Sequence, residues 1–220
     1  SVLPIIDTYC ICDTGSTDDT INVITAFFEK HQISGKVVEE PFKDFAYNRT
    51  FSLKACQGMS DYVLLMDADM MLDVRNFEKK KLAEADSFCI LQGNDAFYYQ
   101  NMRIVRNNGN YCYRGVTHEY IDVPNGNHNI DLAKDEMFIN DIGDGGAKAD
   151  KFERDIRLLT KGIEDEPDNV RYHFYLANSY KDSGKFDEAI TYYKKRIEMG
   201  GWGQEVWYSY YNIANMYDTR

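Results

Sequence analysis

Apolar and polar positions alternate between two periods along the first part of the chain. Tyr9-Cys10-Ile11-Cys12 is a short apolar run that stops at Asp13-Thr14-Gly15. Ser16 then reads as a helix N-cap, with Asp19 as its capping-box partner. Ile21, Ile24, Phe27 and Phe28 follow at helical spacing. Lys36-Val37-Val38 is a second strand, ended by Pro41, and a helix from about Tyr47 carries Phe51, Leu53 and Cys56, with Gly58 closing it. Tyr62–Met66 is a continuous apolar run of the kind buried on both faces, and it ends at Asp67-Ala68-Asp69. This β-α-β-α-β order with short loops predicts a parallel, Rossmann-like sheet.

Beyond Asp69 the pattern changes. Asn76–Glu84 reads as a short charged helix, and Phe88–Leu91, Tyr98–Val105, Tyr111–Tyr113 and His118–Val123 read as strands. The Asn107–Asn110 and Pro124–Asn127 clusters are turns. The first region is therefore α/β with a mixed sheet. From about Ala147 the period is helical: Phe152, Ile156, Leu159 and Ile163 form a stripe that Pro167 ends. Phe174, Leu176-Ala177-Asn178 and Tyr180 then match Tyr211, Ile213-Ala214-Asn215 and Tyr217 at a constant offset of 37 residues. Helix-turn-helix units at about this period belong to tetratricopeptide-type (TPR) arrays. The expected domains are 1–146, a connecting helix over 147–167, and helical repeats over 168–220.

Charge sharpens this division. The 220 residues carry 36 acidic and 25 basic side chains, a net charge of −11. Residues 1–144 hold 23 acidic and 13 basic groups, whereas nine of the 17 tyrosines lie beyond residue 170. This acidity argues against a nucleic-acid partner, and no apolar run approaches a membrane span. The five cysteines include no Cys-x-x-Cys spacing, so reduced thiols and a cytoplasmic setting are expected. Asn48-Arg49-Thr50 matches a glycosylation sequon, read as chance because no secretory signal precedes it.

The candidate chemistry lies at strand ends. Asp67 and Asp69, two residues apart, leave their strand on one side, where open α/β sheets bind ligands. Paired carboxylates repel unless a cation joins them, and hard Mg²⁺ or Mn²⁺ takes such oxygens while keeping positions for phosphate. Solvated aspartates capping the next turn would produce the same pattern. Asp13, at the end of another strand, tips the reading toward a shared cleft.

In order, CDTGSTDDT, YNRTFSLKAC, YVLLMDADMML and YRGVTHEYI resemble family 2 glycosyltransferases of the GT-A fold. GDGGAKADKFERDIRLL and RYHFYLANSYKDSGKFDEAITYYKKR resemble a subgroup with TPR repeats after the catalytic domain. The resemblance implies transfer of a sugar, with inversion, from a nucleotide-diphosphate donor, usually a UDP-sugar. It implies a Mn²⁺ or Mg²⁺ ion held by Asp69, with Asp67 near the donor ribose or in the metal shell. Asp13 would meet the nucleoside, and Asn48 and Arg49 would lie near the donor. The Gly115-x-x-His118-Glu119 stretch makes Glu119 the candidate base, with Asp95 as runner-up, and His118 a metal or diphosphate contact. Where relatives often supply a further histidine ligand, this chain has Asp141, and Lys148, Lys151 and Arg154 could close over the diphosphate.

The family's first strand and helix have no counterpart before Asp13, so a truncated catalytic domain is expected. The acceptor, whether glycan, protein or lipid-linked, is not indicated. The helical repeats offer a surface for a protein partner. Two rivals remain: a catalytically silent scaffold and a sugar nucleotidyltransferase.

Overall fold

The computed structural model describes residues 1–94, 96–143 and 150–218. Among these the chain separates into two compact units: Ser1–Arg114 with the segment returning from Tyr120, and Gly115–Glu119 with the C-terminal helices.

The first unit is mixed α/β. Strands β1 (Tyr9–Asp13) and β2 (Gly35–Glu39) pair in parallel across helix α1 (Thr20–Lys30). Tyr9 stacks on Phe28 with ring centroids 3.9 Å apart. A Cβ at Gly35 would lie 2.2 Å from the Tyr9 carbonyl oxygen, so glycine is required for this close approach. Helix α1 begins three residues later than an N-cap at Ser16 predicts, because Ser16 is engaged by Asp13 and Asp19 takes the N-cap position. Helix α2 (Phe45–Ala55) is capped by Asp44, whose carboxylate accepts the Tyr47 N–H at 2.8 Å.

The remaining strands are β3 (Tyr62–Leu64), β4 (Met70–Val74), β5 (Ser87–Gly93), β6 (Tyr98–Arg106), β7 (Cys112–Arg114), β8 (Tyr120–Asp122), β9 (Asn129–Asp131) and β10 (Met137–Asp141). A six-stranded sheet runs β3-β6-β5-β10-β4, with β9 paired to β5. Pairs β5–β10 and β5–β9 are parallel, whereas β3–β6, β5–β6 and β4–β10 are antiparallel. The mixed architecture is as expected, but β3 does not continue the parallel β1–β2 pair. Its partner is the nine-residue β6, which the β5–β6 hairpin presents as a long antiparallel edge. Strands β4, β9 and β10 have no counterpart in the sequence reading, and the charged segment before β5 forms a 3-10 turn at Lys79–Glu84. Phe88, Ile90, Ile104, Leu132, Met137 and Ile139 form the main core, each fully buried side chain contributing roughly 1.5–3 kcal/mol. Leu53, Val105 and Tyr111 form a second cluster.

The other unit stacks α3 (Lys151–Asp165), α4 (Val170–Asp182), α5 (Phe186–Met199) and α6 (Gly203–Asp218), each against the next. The 37-residue offset places its matching residues on α4 and α6. Phe174, Ala177, Ala189, Ile190, Tyr193 and Met216 form one cluster, and Leu159, Tyr172 and Leu176 another. No helix among the described residues is long and apolar enough to cross a membrane.

Candidate functional site

Asp13 ends β1 with 6% of its surface exposed. Its Oδ1 accepts the N–H groups of Gly15 (2.9 Å) and Ser16 (2.8 Å), and its Oδ2 accepts the Ser16 hydroxyl. The Ser16 hydroxyl, then the Ser16 N–H, hold the Asp13 carboxyl below its ordinary range; burial opposes them and the Gly15 N–H assists. The carboxylate thereby builds the loop between β1 and α1.

Asn48 and Arg49 occupy the first turns of α2 and do different work. Buried Asn48 accepts the Lys43 N–H (2.9 Å) and donates to the carbonyls of Glu40 and Pro41 (3.2 Å each), fixing the segment that enters the helix. Arg49 reaches the segment after β3, where its Nη1 lies 2.5 Å from Asp67 Oδ1, and its guanidinium sits 5.6 Å from the Tyr113 ring centre. Arg103 of β6 approaches the other Asp67 oxygen at 3.6 Å. Burial pushes the Asp67 carboxyl upward, but Arg49, through its hydrogen bond and charge, and then Arg103 reverse this and hold it below its ordinary range.

Asp69 is half-buried. Its carbonyl accepts the Ile142 N–H at 3.1 Å, beside Asp141, which pairs in register with Met70. The Asp141 carboxylate accepts from Gln92 Nε2 at 3.3 Å. Sequence reasoning missed Arg103 and Gln92, which are 6% and 2% exposed. A charged and an amide residue amid the apolar alternation of two strands are the signal that could have found them.

The structure thus gathers Arg49, Asp67 and Arg103 at one point. No group of three or more His, Cys, Asp or Glu side chains poised to hold a metal occurs among the described residues. The donor set nonetheless fits a divalent ion of the kind that takes one or two carboxylates and completes its shell with substrate phosphate and water. Asp69 suits that role, while Asp67 is committed to two arginines.

His118 and Glu119 belong to the helical unit. The predicted strand over His118–Val123 begins only at Tyr120, because Gly115 (φ 100°) and His118 (φ 51°) turn the chain beforehand. Alternation of faces along a strand therefore does not govern this pair. The His118 ring stacks on Tyr175 at 4.0 Å and its carbonyl accepts from Arg171. One side of His118 stays open to solvent, yet desolvation around the ring lowers its pKa, with Asp155 opposing. Arg154 pairs with Asp155, and Lys151 is exposed at the start of α3. Asp95 and Lys148 lie outside the described residues.

Residues 5–115 match the family described as glycosyl transferase family 2. Two relatives are each 26% identical over 202 residues: the SPbeta prophage-derived glycosyltransferase SunS of Bacillus subtilis (strain 168) and the glycosyltransferase SunS of Bacillus phage SPbeta. Each match covers 85% of this chain and 46% of the relative, so the chain spans about half the length of the curated relatives it matches.

Proposed function

This chain belongs to glycosyl transferase family 2, and from that premise we propose that it transfers a sugar from a UDP-sugar, with inversion, to an acceptor hydroxyl in a metal-dependent reaction. The observation that carries this reading is the Asp67 carboxylate bracketed by Arg49 and Arg103, with Asp69 two residues further along the same loop.

Asp69 would hold Mn²⁺ or Mg²⁺, and Asp67, neutralised by its arginines, would accept hydrogen bonds from the donor ribose. When bound, such an ion supplies positive charge to the departing diphosphate. Asp13 orders the loop proposed to meet the nucleoside, and Asn48 sets the start of the helix that delivers Arg49. Inverting transfer needs a base for the acceptor hydroxyl. Glu119 is assigned that role from its motif, with Asp95 as the alternative, and His118 is assigned from the same motif as a metal or diphosphate contact. The repeated helices are read as TPR-type, with a role in holding a protein partner or acceptor.

Calorimetry with UDP, with and without Mn²⁺, tests this reading on the whole chain. Metal-dependent binding abolished by Asp69→Ala is expected. Binding that is absent, or indifferent to Asp69→Ala, refutes it and favours a scaffold that keeps only the transferase fold.

A further inference from the structure

Residues 65–69 join β3 to β4, which stand at opposite ends of the sheet order β3-β6-β5-β10-β4. Four interstrand spacings amount to about 19 Å, and the six Cα steps from Leu64 to Met70 span at most roughly 22 Å when fully extended. The Met70 N–H donates to the Asp67 carbonyl at 3.2 Å, which shortens the loop further. With that turn the loop is too short to span the flat width of the sheet, so the sheet curls to bring β3 and β4 within its reach.

Under this loop lies a buried polar chain. Leu65 exchanges hydrogen bonds with Arg103: its N–H donates to the Arg103 carbonyl at 2.7 Å, and Arg103 Nη1 donates to its carbonyl at 3.3 Å. The same Nη1 lies 3.6 Å from Asp67 Oδ2. Arg103 Nε donates to Gln92 Oε1 at 2.8 Å, which also accepts from Asn101 at 3.2 Å. Gln92 Nε2 continues to Asp141 at 3.3 Å, and the next residue's N–H holds the Asp69 carbonyl. One relay across β6, β5 and β10 thus ties the start of the loop to its end.

We propose that Arg103 and Gln92 are positioning residues that lock the loop carrying Asp67 and Asp69 into its donor-binding shape. The inference rests on the donor-site reading above. Gln92 can make this link because its amide accepts from a guanidinium on one side and donates to a carboxylate on the other. A side chain that only accepts, or does neither, breaks the relay. Arg103 is needed as a fork, since it serves Gln92, the Leu65 carbonyl and Asp67 from one plane, which an ammonium group cannot reproduce.

The test measures UDP binding by calorimetry in saturating Mn²⁺ and again in chelator, on wild type, Gln92→Met and Arg103→Lys, with thermal midpoints recorded for each. Gln92→Met preserves approximate size and leaves Arg49, Asp67 and Asp69 in place. Both variants are expected to weaken metal-dependent UDP binding about 10-fold or more, the usual scale for groups supporting a metal ligand, while metal-free binding, which loses only the Asp67 contact with the ribose, falls by a clearly smaller factor. A merely structural role lowers both affinities together, and that result overturns the proposal. So does metal-dependent binding at wild-type strength in the folded variants. Should Arg103→Lys not fold, Gln92→Met decides alone. A wild-type chain without metal-dependent UDP binding overturns the donor-site reading and this inference with it, whereas wild-type binding with unaffected variants overturns the inference only.

Discussion

Single carboxylates in this chain are tuned by different partners, and their neighbours decide what each can do. Asp13 has both oxygens engaged by its own loop, so its first task is to hold that loop. Asp13→Ala removes a charged acceptor from three donors and is expected to cost about 1–3 kcal/mol, read by urea denaturation. Asp13→Asn keeps the acceptor oxygen and should cost less; equal losses in both variants would show that hydrogen-bond acceptance is not what matters. Asp13 and Asp67 both have lowered pKa values. Their unfolded counterparts near 4 bind protons first on acidification. The stability they confer is present in full above about pH 4 and is lost as pH falls through the folded values. In Arg49→Met, Asp67 keeps Arg103 but loses its nearer cation. Its share of that acid sensitivity should therefore shrink, which an acid titration followed by circular dichroism checks. An unchanged acid limb would contradict the assignment of Arg49 as the stronger influence.

At the scale of elements, local pattern was a good guide where a segment's own residues decide its state. The stripes of α1 and α3, the presence of α2, the apolar blocks of β1, β2 and β6, and the strand-end aspartates were all legible. Partnership was not. Tyr62–Leu64 looks like any buried strand, and only the presence of β6 makes its pairing antiparallel. Met137-Phe138-Ile139 is an apolar run whose three side chains are all buried, but the turn-rich sequence around it hides it as a strand. Arg103 was illegible as a site residue because its role exists only through Gln92, Leu65 and Asp67, all distant in sequence. The 37-residue repeat was legible, but the environments of its two copies were not. Phe174 on α4 is 8% exposed and its counterpart Tyr211 on α6 is 49% exposed.

Helix α6 buries Met216 in the apolar cluster and, beside it, a polar stripe that includes Glu205, Ser209 and Asn212. Fully buried Arg196 of α5 donates through Nε to Glu205 at 3.0 Å and through Nη1 to the Gly200 carbonyl, while its Nη2 has no hydrogen-bond partner among the described residues. Arg196→Met leaves the Glu205 carboxylate buried and unpaired, at an expected cost of 3–5 kcal/mol (about the usual range for such breaks). Pairing Arg196→Met with Glu205→Gln should recover much of that loss. Equal stability of the single and double variants in urea denaturation would show that the ion pair is not what joins α5 to α6.

For the molecule as a whole, the two units have separate cores and different titrating groups, so pH should act on them in separate steps. The carboxylates of the α/β unit respond near pH 4 and below. The helical unit contains His173, fully buried, whose Nε2–H donates to the Pro167 carbonyl at 2.9 Å while Nδ1 has no hydrogen-bond partner among the described residues. Burial lowers its pKa, opposed by that hydrogen bond and assisted by Lys195 and Arg196. A histidine buried neutral stabilises the fold in full above its unfolded value of about 6.5. Below that value the unfolded chain gains the proton first, and stability falls until the lowered folded value is passed. His118 acts in the same direction, with less weight because it is partly exposed. Both tryptophans, Trp202 and Trp207, flank or lie in α6, so their fluorescence reports on the helical unit alone. The fluorescence melting midpoint should drop between pH 7.5 and 5.5, and drop less in His173→Phe, which retains a ring in the same buried position but cannot take a proton. If both proteins lose the same number of degrees over that interval, His173 is not the group responsible, and the helical unit's pH response must be sought at His118.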